Sequence, residues 1–104
     1  MATKQIAGKT VNLSEEGYLT DPSQWTREVA QVIAVEEDIT MTDAHWKVIE
    51  FLKKDFAATG VLASMRRINK TGGIPTKDLY ELFPDGPLKK AARIAGLPKP
   101  TSCV

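Results

Sequence analysis

The stretch between Thr42 and Gly60 constrains the fold most, because its apolar residues recur at the spacing of an α-helix. Its apolar stripe consists of Trp46, Ile49, Leu52 and Phe56. Residues at this spacing lie on one face of a helix. Thr42 is a suitable N-cap, and Gly60 is suited to end the helix. Such a stripe needs other apolar elements to cover it, so the sequence predicts a helical domain.

Proline, glycine and capping residues divide the rest of the chain into shorter helices. We predict helices from Thr26 toward Glu37, from Leu62 to Asn69, from Pro75 to Phe83 and from Pro87 to Gly96. Asp21 and Pro22 are predicted to start a further helical turn that leads to Trp25. The pair of short helices around the sequence KTGG is predicted to be a helix-turn-helix-like unit.

The N-terminal residues show the pattern of a β-hairpin. Ile6 and Val11 flank Gly8-Lys9, which we predict to be a tight turn. Leu13 continues the alternation of apolar and polar residues.

The last eight residues, LPKPTSCV, contain two prolines that forbid a helix and predict an extended arm. The predicted fold is therefore mainly α. It is a small bundle of about five helices with an N-terminal β-hairpin, a helix-turn-helix-like pair and a flexible C-terminal arm. We divide the chain into a helical body of residues 1–96 and a mobile arm of residues 97–104.

Composition limits the classes of protein to which the chain can belong. With 104 residues, 42% of them hydrophobic, it fits a single small domain with a thin core. The formal net charge of +1 gives no general reason to expect binding to nucleic acid or to a membrane. No apolar run approaches the ~20 residues of a membrane span, and the first residues are too polar for a secretory signal. One cysteine excludes an internal disulfide and with it a secreted disulfide scaffold, so we expect a cytoplasmic protein. No feature of the sequence demands more than a monomer.

Cys103, the only cysteine, is the strongest candidate for chemistry. A thiolate is a nucleophile that can hold a persulfide or a mixed disulfide. An ordinary thiol, with a pKa of about 8.5, is only slightly ionised at neutral pH, so a partner protein would have to supply electropositive surroundings. A free thiol on a frayed tail fits the spacing equally well. Cysteines without a role are usually buried, and this tail cannot bury one, which favours a functional thiol.

The other candidate residues are less specific. His45, the only histidine, is predicted to be a surface or capping residue, and one cysteine with one histidine cannot form a structural zinc site. Two basic clusters could contact phosphates or an anionic persulfide, although solvated helix faces explain them equally well. The clusters consist of Arg66, Arg67 and Lys70, and of Lys89, Lys90 and Arg93. We expect the aromatic residues Trp25, Trp46, Tyr80 and Phe83 to be core residues, and we expect no cofactor.

Several motifs along the chain resemble those of the DsrC/TusE family of sulfur carrier proteins. They are a GK hairpin, EEGYL, DPSQW, the segment TDAHW before the long helix, YELFPDGP, and AGLPKPTSC near the end. The resemblance covers nearly the whole chain, and a penultimate cysteine after GLPKP is a specific combination. It implies a small helical fold with a flexible C-terminal arm.

The resemblance also implies a chemistry for the arm. In the family, the penultimate cysteine accepts sulfur as a persulfide and presents it to a partner, a role that falls on Cys103. Arg67 and Lys99 are predicted to help bind the arm or its anion. The implied partners are a TusBCD-like or DsrEFH-like sulfur donor and, as acceptor, a tRNA thiolase or a sulfite-reductase-like enzyme. We therefore expect a sulfurtransferase-type carrier rather than a self-sufficient enzyme.

One departure from the family pattern concerns position 92. DsrC proteins that serve dissimilatory sulfite reductase have a second cysteine where this chain has Ala92, and the flanking letters KKAARIAGLPKP align without a gap. A single-cysteine chain is more similar to TusE, which relays sulfur toward thiolation of the tRNA wobble uridine. TusE-like sequences usually have a longer segment before the YxLFP motif, which indicates a separate single-cysteine branch.

Two other functions stay open at this stage. The chain could be a DsrC-like partner subunit of a dissimilatory sulfite reductase or of another sulfur-oxidation system. It could instead be a helix-turn-helix regulator that binds DNA through Arg66, Arg67, Lys70 and Lys77. The near-neutral net charge disfavours the regulator, and we expect no direct binding to nucleic acid.

Overall fold

The computed structural model describes residues 2–6 and 9–100. These residues form two strands and five α-helices, preceded at the first helix by a 3-10 turn at Pro22–Gln24. The elements are β1 (Ala2–Ile6), β2 (Lys9–Leu13), α1 (Arg27–Glu36), α2 (Asp43–Thr59), α3 (Met65–Lys70), α4 (Thr76–Leu82) and α5 (Pro87–Ile94). The predicted mainly helical architecture with an N-terminal hairpin is confirmed.

Strands β1 and β2 pair antiparallel, with Ile6 opposite Lys9. The turn predicted at Gly8-Lys9 is wrong by one position, because Lys9 already belongs to β2. Residues 7 and 8, which separate the strands, lie outside the described residues. Val11 and Leu13 are buried whereas Thr10 is exposed, so the alternation along β2 turns one face toward the core.

Helix α2 has the bounds that its sequence predicts. It starts directly after Thr42, and Gly60 ends it with a φ of 79°, the left-handed conformation that favours glycine. The Gly60 N–H donates to the carbonyl of Phe56 at 2.7 Å. The stripe that faces the core consists of Trp46, Ile49 and Leu52, with Phe56 partly buried at its end.

Helix α3 starts later than predicted. The prediction placed the start at Leu62, but Ser64 is the N-cap and its side chain accepts a hydrogen bond from the Arg67 N–H at 3.2 Å. Because this cap fixes where the helical hydrogen bonds begin, Leu62 stays in the preceding loop. The helix ends at Lys70, one residue beyond the predicted end at Asn69, and the glycines of KTGG follow it.

Tyr80 is the one aromatic residue for which the core prediction is wrong. Leu79 and Phe83 are four positions apart and share the inward face of α4, where they are almost completely buried. Tyr80 follows Leu79 directly and therefore lies about 100° around the helix from that face. Its side chain is 48% exposed. Helical spacing therefore separates this tyrosine from its two apolar neighbours.

The core draws residues from every helix, and α5 lies at its centre, in contact with α1, α2 and α4. The largest fully buried side chains are those of Val11, Val29, Ile33, Val48, Ile49, Leu52, Ile68, Leu79, Phe83, Pro87 and Ile94. None of the described helices is long and apolar enough to cross a membrane. The C-terminal residues continue directly from α5, so the position of this helix sets where they begin.

We predict that Phe83→Ala lowers the free energy of unfolding by about 3–5 kcal/mol, because it removes a fully buried ring and leaves a cavity. Tyr80→Ala is the matched control and should change the free energy by no more than about 0.5 kcal/mol. Urea unfolding followed by circular dichroism measures both. Equal losses for the two variants would contradict the assignment of the inward face of α4.

Candidate functional site

Cys103, the predicted sulfur carrier, lies outside the described residues. The structure does describe the segment that leads to it, from the end of α5 as far as Pro100. Cys103 is the third residue after Pro100, so the chain between them can span at most about 11 Å. The described part of the site therefore begins at the root of this segment, which is the turn that ends α5.

A Schellman motif closes the end of α5. The Leu97 N–H donates to the carbonyl of Ala92 at 3.0 Å, and the Gly96 N–H donates to that of Arg93 at 3.2 Å. Gly96 has a φ of 71°, as this motif requires. Leu97 is only 4% exposed, so the first residue of the predicted arm is packed in the core. Whether residues 97–104 move as an arm stays a prediction.

After Leu97 the segment forms a wall shared by two surface clefts. The first cleft has a volume of about 720 Å³ and lies between the loop after β2, helix α2 and residues 96–99. The second, of about 420 Å³, lies between residues 60–64 and 98–100. Phe56, Pro98 and Lys99 line both clefts.

Lys99, one of the predicted supporting residues, forms an ion pair with Glu16 at 2.6 Å. About half of each side chain is exposed. An exposed pair of this kind contributes only about 0.2–1 kcal/mol. It biases the position of the segment without fixing it, and the predicted role of Lys99 in binding the arm or its anion stays a prediction.

Arg67, the other predicted supporting residue, is bonded to Asp55 of α2. Its Nε lies 2.9 and 3.0 Å from the two carboxylate oxygens of Asp55, and its Nη2 lies 2.7 Å from Oδ1. Asp55 is buried, whereas the Arg67 side chain is 45% exposed. Hydrogen bonding from the guanidinium holds the pKa of the Asp55 carboxyl below its usual value. Arg67 thus joins α3 to α2, and its role toward the arm stays a prediction.

His45 is buried at the start of α2, where both of its ring nitrogens have partners. Nδ1 accepts the backbone N–H of Thr42 at 3.1 Å, and Nε2 donates to the carbonyl of Leu82 at 2.8 Å. The ring also packs edge-on against Phe83. These contacts make His45 a capping residue that links α2 to the end of α4. Among the described residues, no three His, Cys, Asp or Glu side chains lie close enough to hold a metal ion.

The members of the two predicted basic clusters differ in whether they form ion pairs within the protein. Arg93 pairs with Glu37 at 2.6 Å and with Glu36 at 2.9 Å, and its Nε donates to the carbonyl of Gly17 at 3.0 Å. Its guanidinium therefore fastens α5 to α1 and to the loop after β2. Of the other cluster members, Arg66, Lys70 and Lys89 are exposed and Lys90 is partly buried, and Lys77 outside the clusters is exposed as well. A DNA-binding role for them stays a prediction.

Sequence reasoning missed how two residues meet at the end of α5. Trp25 was expected only to pack inward, and Lys53 was not singled out. Both bond to carbonyls of the last turn of α5. No local pattern could reveal this, because they stand 69 and 42 positions from the residues that they contact.

Comparison with known proteins gives one consistent result. Residues 5–104 match the family described as DsrC like protein. A relative named sulfurtransferase TusE, from Escherichia coli strain K12, is 38% identical over 104 residues, covering 93% of this chain and 95% of that protein. A relative from Nitratidesulfovibrio vulgaris, named dissimilatory-type sulfite reductase subunit gamma, is 37% identical over 105 residues and covers 100% of both chains. The solution structure of DsrC from Allochromatium vinosum is similar with a TM-score of 0.84 and 38% identity, covering 98% of this chain and 97% of that one.

We predict that Asp55→Asn destabilises the protein at neutral pH and that the difference from wild type shrinks in acid. The pKa of Asp55 is lower in the folded than in the unfolded state. The stabilisation is therefore complete above the unfolded pKa of about 3.9 and is lost as the pH falls through the folded value. Thermal unfolding at pH 7 and at several pH values below about 4 measures this. Glu50→Gln, at an exposed position on the same helix, is the control and should leave the unfolding midpoint nearly unchanged. A loss from Asp55→Asn that is the same at every pH would contradict the prediction.

Proposed function

We propose that this chain, which belongs to the family of DsrC-like proteins, accepts sulfur as a persulfide on Cys103 and passes it to a partner protein. The names of its relatives, a sulfurtransferase and a sulfite reductase subunit, support a sulfur-carrier role. One observation carries the proposal. The family match extends through residue 104 and so includes the segment with Cys103.

The transfer needs no external oxidant or reductant. The Cys103 thiolate attacks the outer sulfur of a donor persulfide, and a sulfur–sulfur bond forms at its Sγ. The bond between that outer sulfur and the donor cysteine breaks, and the donor leaves as a thiolate that takes up a proton. The second transfer repeats these steps, with Cys103 now leaving as the thiolate.

The second step of the cycle must take place on another molecule. Cys103 is the only cysteine, so the chain cannot form an internal disulfide. At position 92 it has an alanine that is completely buried in the core. We therefore propose a carrier rather than a self-sufficient enzyme, with residues after Leu97 acting as the arm that presents the sulfur.

The proposed destination of the sulfur is tRNA. Relatives named sulfurtransferase TusE support this choice, as does the single cysteine of this chain. The proposed partners are then a TusBCD-like or DsrEFH-like donor and a tRNA thiolase that modifies the wobble uridine. We place this relay in the cytoplasm.

A second candidate is a partner subunit of a dissimilatory sulfite reductase. The relative from Nitratidesulfovibrio vulgaris carries that name, and the alignment spans both chains completely. In this case the arm would dock into the active site of a larger enzyme. The chemistry of Cys103 would be shared with the first candidate, and only the acceptor would differ.

We expect the intact protein to gain the mass of one sulfur atom when it is incubated with a small-molecule polysulfide and freed of excess reagent. Electrospray mass spectrometry measures the gain, and dithiothreitol should reverse it. Cys103→Ser should gain nothing. Protein whose Cys103 has first been alkylated is the matched control for non-specific sulfur. A gain in the serine variant would remove Cys103 as the carrier.

We further expect deletion of the gene to abolish wobble-uridine thiolation in the organism that carries it. Mass spectrometry of digested tRNA measures the thiolated nucleoside. Wild-type protein should restore it, whereas Cys103→Ser should not, although both variants fold alike. Unchanged tRNA thiolation together with co-purification of a sulfite reductase would instead support the second candidate.

A further inference from the structure

We propose that Trp25 and Lys53 are positioning residues for Cys103: by capping the last carbonyls of α5, they fix the direction in which the C-terminal segment leaves the body. The inference rests on the proposed sulfur-carrier function for its purpose. Its geometry rests only on the described residues. The residues come from the segment before α1 and from α2, and neither belongs to the Schellman motif itself.

The carbonyl groups at the end of α5 show why two outside residues are needed. The Schellman motif satisfies the carbonyls of Ala92 and Arg93 through the N–H groups of Leu97 and Gly96. It provides no donor for the carbonyls of Ile94 and Ala95, which follow them in the chain. A buried carbonyl without a partner is costly, so these two need donors from elsewhere.

Trp25 and Lys53 supply those two donors. The indole Nε1 of Trp25 donates to the Ile94 carbonyl at 2.8 Å. The ammonium of Lys53 donates to the Ala95 carbonyl at 3.3 Å. Its charge also lies at the negative end of the α5 dipole, where a cation is favoured.

The two capping residues also hold each other. The Nζ of Lys53 lies 3.8 Å from the centroid of the Trp25 ring, within the range of a cation–π interaction. Burial lowers the pKa of Lys53 below its usual value, which indicates a partly desolvated ammonium. Electrostatic contacts of a desolvated cation are stronger than those of an exposed one. Loss of either residue should therefore weaken the contact that the other makes.

Gly96 shows how closely the chain is held at this point. A Cβ added to Gly96 would lie 2.5 Å from Cδ1 of Trp25 and 3.1 Å from Cδ1 of Leu19. The backbone therefore passes directly against the indole ring at the residue where it turns away from the helix. Leu97, the next residue, is buried. The chain is therefore held both before Gly96, by the cap, and after it, by Leu97.

Cys103 lies six residues after Leu97, so a change of backbone direction at Gly96 is amplified at the thiol. Three sets of contacts reduce the directions that the segment can take: the cap, the burial of Leu97 and the ion pair of Lys99. A narrow range of directions favours binding of a partner protein to the segment, because the segment then loses less conformational entropy when the complex forms. This is the sense in which Trp25 and Lys53 position the sulfur.

The test measures where Cys103 lies rather than only whether the protein is stable. One nitroxide is attached to Cys103 and a second to an exposed position of α1 through Gln31→Cys. Double electron–electron resonance then measures the distribution of distances between the two nitroxides. The variants are Trp25→Phe, which keeps a ring but loses the donor, and Lys53→Met, which keeps the length but loses the charge. Lys53→Arg is the conservative variant, and Lys54→Met, at an exposed neighbouring position, is the matched control.

We expect Trp25→Phe and Lys53→Met to shift and broaden the distance distribution. Amide hydrogen exchange of Gly96 and Leu97 should become roughly 2- to 10-fold faster, as expected when one hydrogen bond is lost. Lys53→Arg should restore the wild-type distribution, and Lys54→Met should not alter it. Distributions identical to wild type in both Trp25→Phe and Lys53→Met would overturn the proposal. So would equal broadening in Lys54→Met.

The outcome can be separated from that of the proposed function. Loading of Cys103 by a small-molecule polysulfide should be the same in wild type and in all four variants, because this reaction needs an accessible thiolate and not a particular direction of the segment. Absence of loading in the wild type would remove the sulfur-carrier function but would leave the distance measurements valid. Normal loading with unchanged distances would remove only the positioning role.

Discussion

The close packing of α5 against α1 is the interaction on which the rest of the structure depends. Helices α1 and α5 contact each other. Each contributes two alanines to the core, and Ala30, Ala34, Ala91 and Ala92 are all at most 1% exposed. Small side chains allow two helices to approach closely, so their larger neighbours can fill the space on either side. Because α5 also contacts α2 and α4, its position sets both the core and the place where the C-terminal segment begins.

Ion pairs between different parts of the chain stabilise the packing of the helices. The basic residues in these pairs are therefore less available to bind an anion. Arg67, Arg93 and Lys99 each pair with an acidic residue of another part of the chain. Arg93 binds two glutamates at the C-terminal end of α1. A positive charge is favoured at this end because it is the negative end of the helix dipole. One member of each basic cluster is therefore neutralised in the folded protein, Arg67 by Asp55 and Arg93 by two glutamates. This makes a broad surface for anions or DNA less favourable than the count of lysines and arginines suggests.

Local signals explain which elements the sequence predicted well. Helix α2 was predicted to the residue because its stripe, its N-cap and its terminal glycine all lie within one stretch of chain. The start of α3 was misplaced because Ser64, the residue that caps it, is one polar residue in an otherwise ambiguous loop. Tyr80 was misassigned because a short helix of seven residues gives too few repeats to separate its two faces. The end of α5 at Gly96 was predicted, but the hydrogen bonds of Trp25 and Lys53 at that end were not, since these residues reach it only through the tertiary fold.

The alanine at position 92 connects the fold to the proposed chemistry. Ala92 is fully buried and its carbonyl belongs to the Schellman motif, so it forms part of the root from which the segment leaves. A disulfide between positions 92 and 103 would close a loop of about twelve residues, a restraint worth roughly 3 kcal/mol. This chain has no second thiol, and the Lys99–Glu16 pair that holds the described segment contributes only about 0.2–1 kcal/mol. Among the described residues, non-covalent contacts hold the start of the segment in this chain. Such contacts can be broken without a redox step, as the proposed arm requires. Under the proposed function, sulfur carried on Cys103 is therefore consumed by a partner protein.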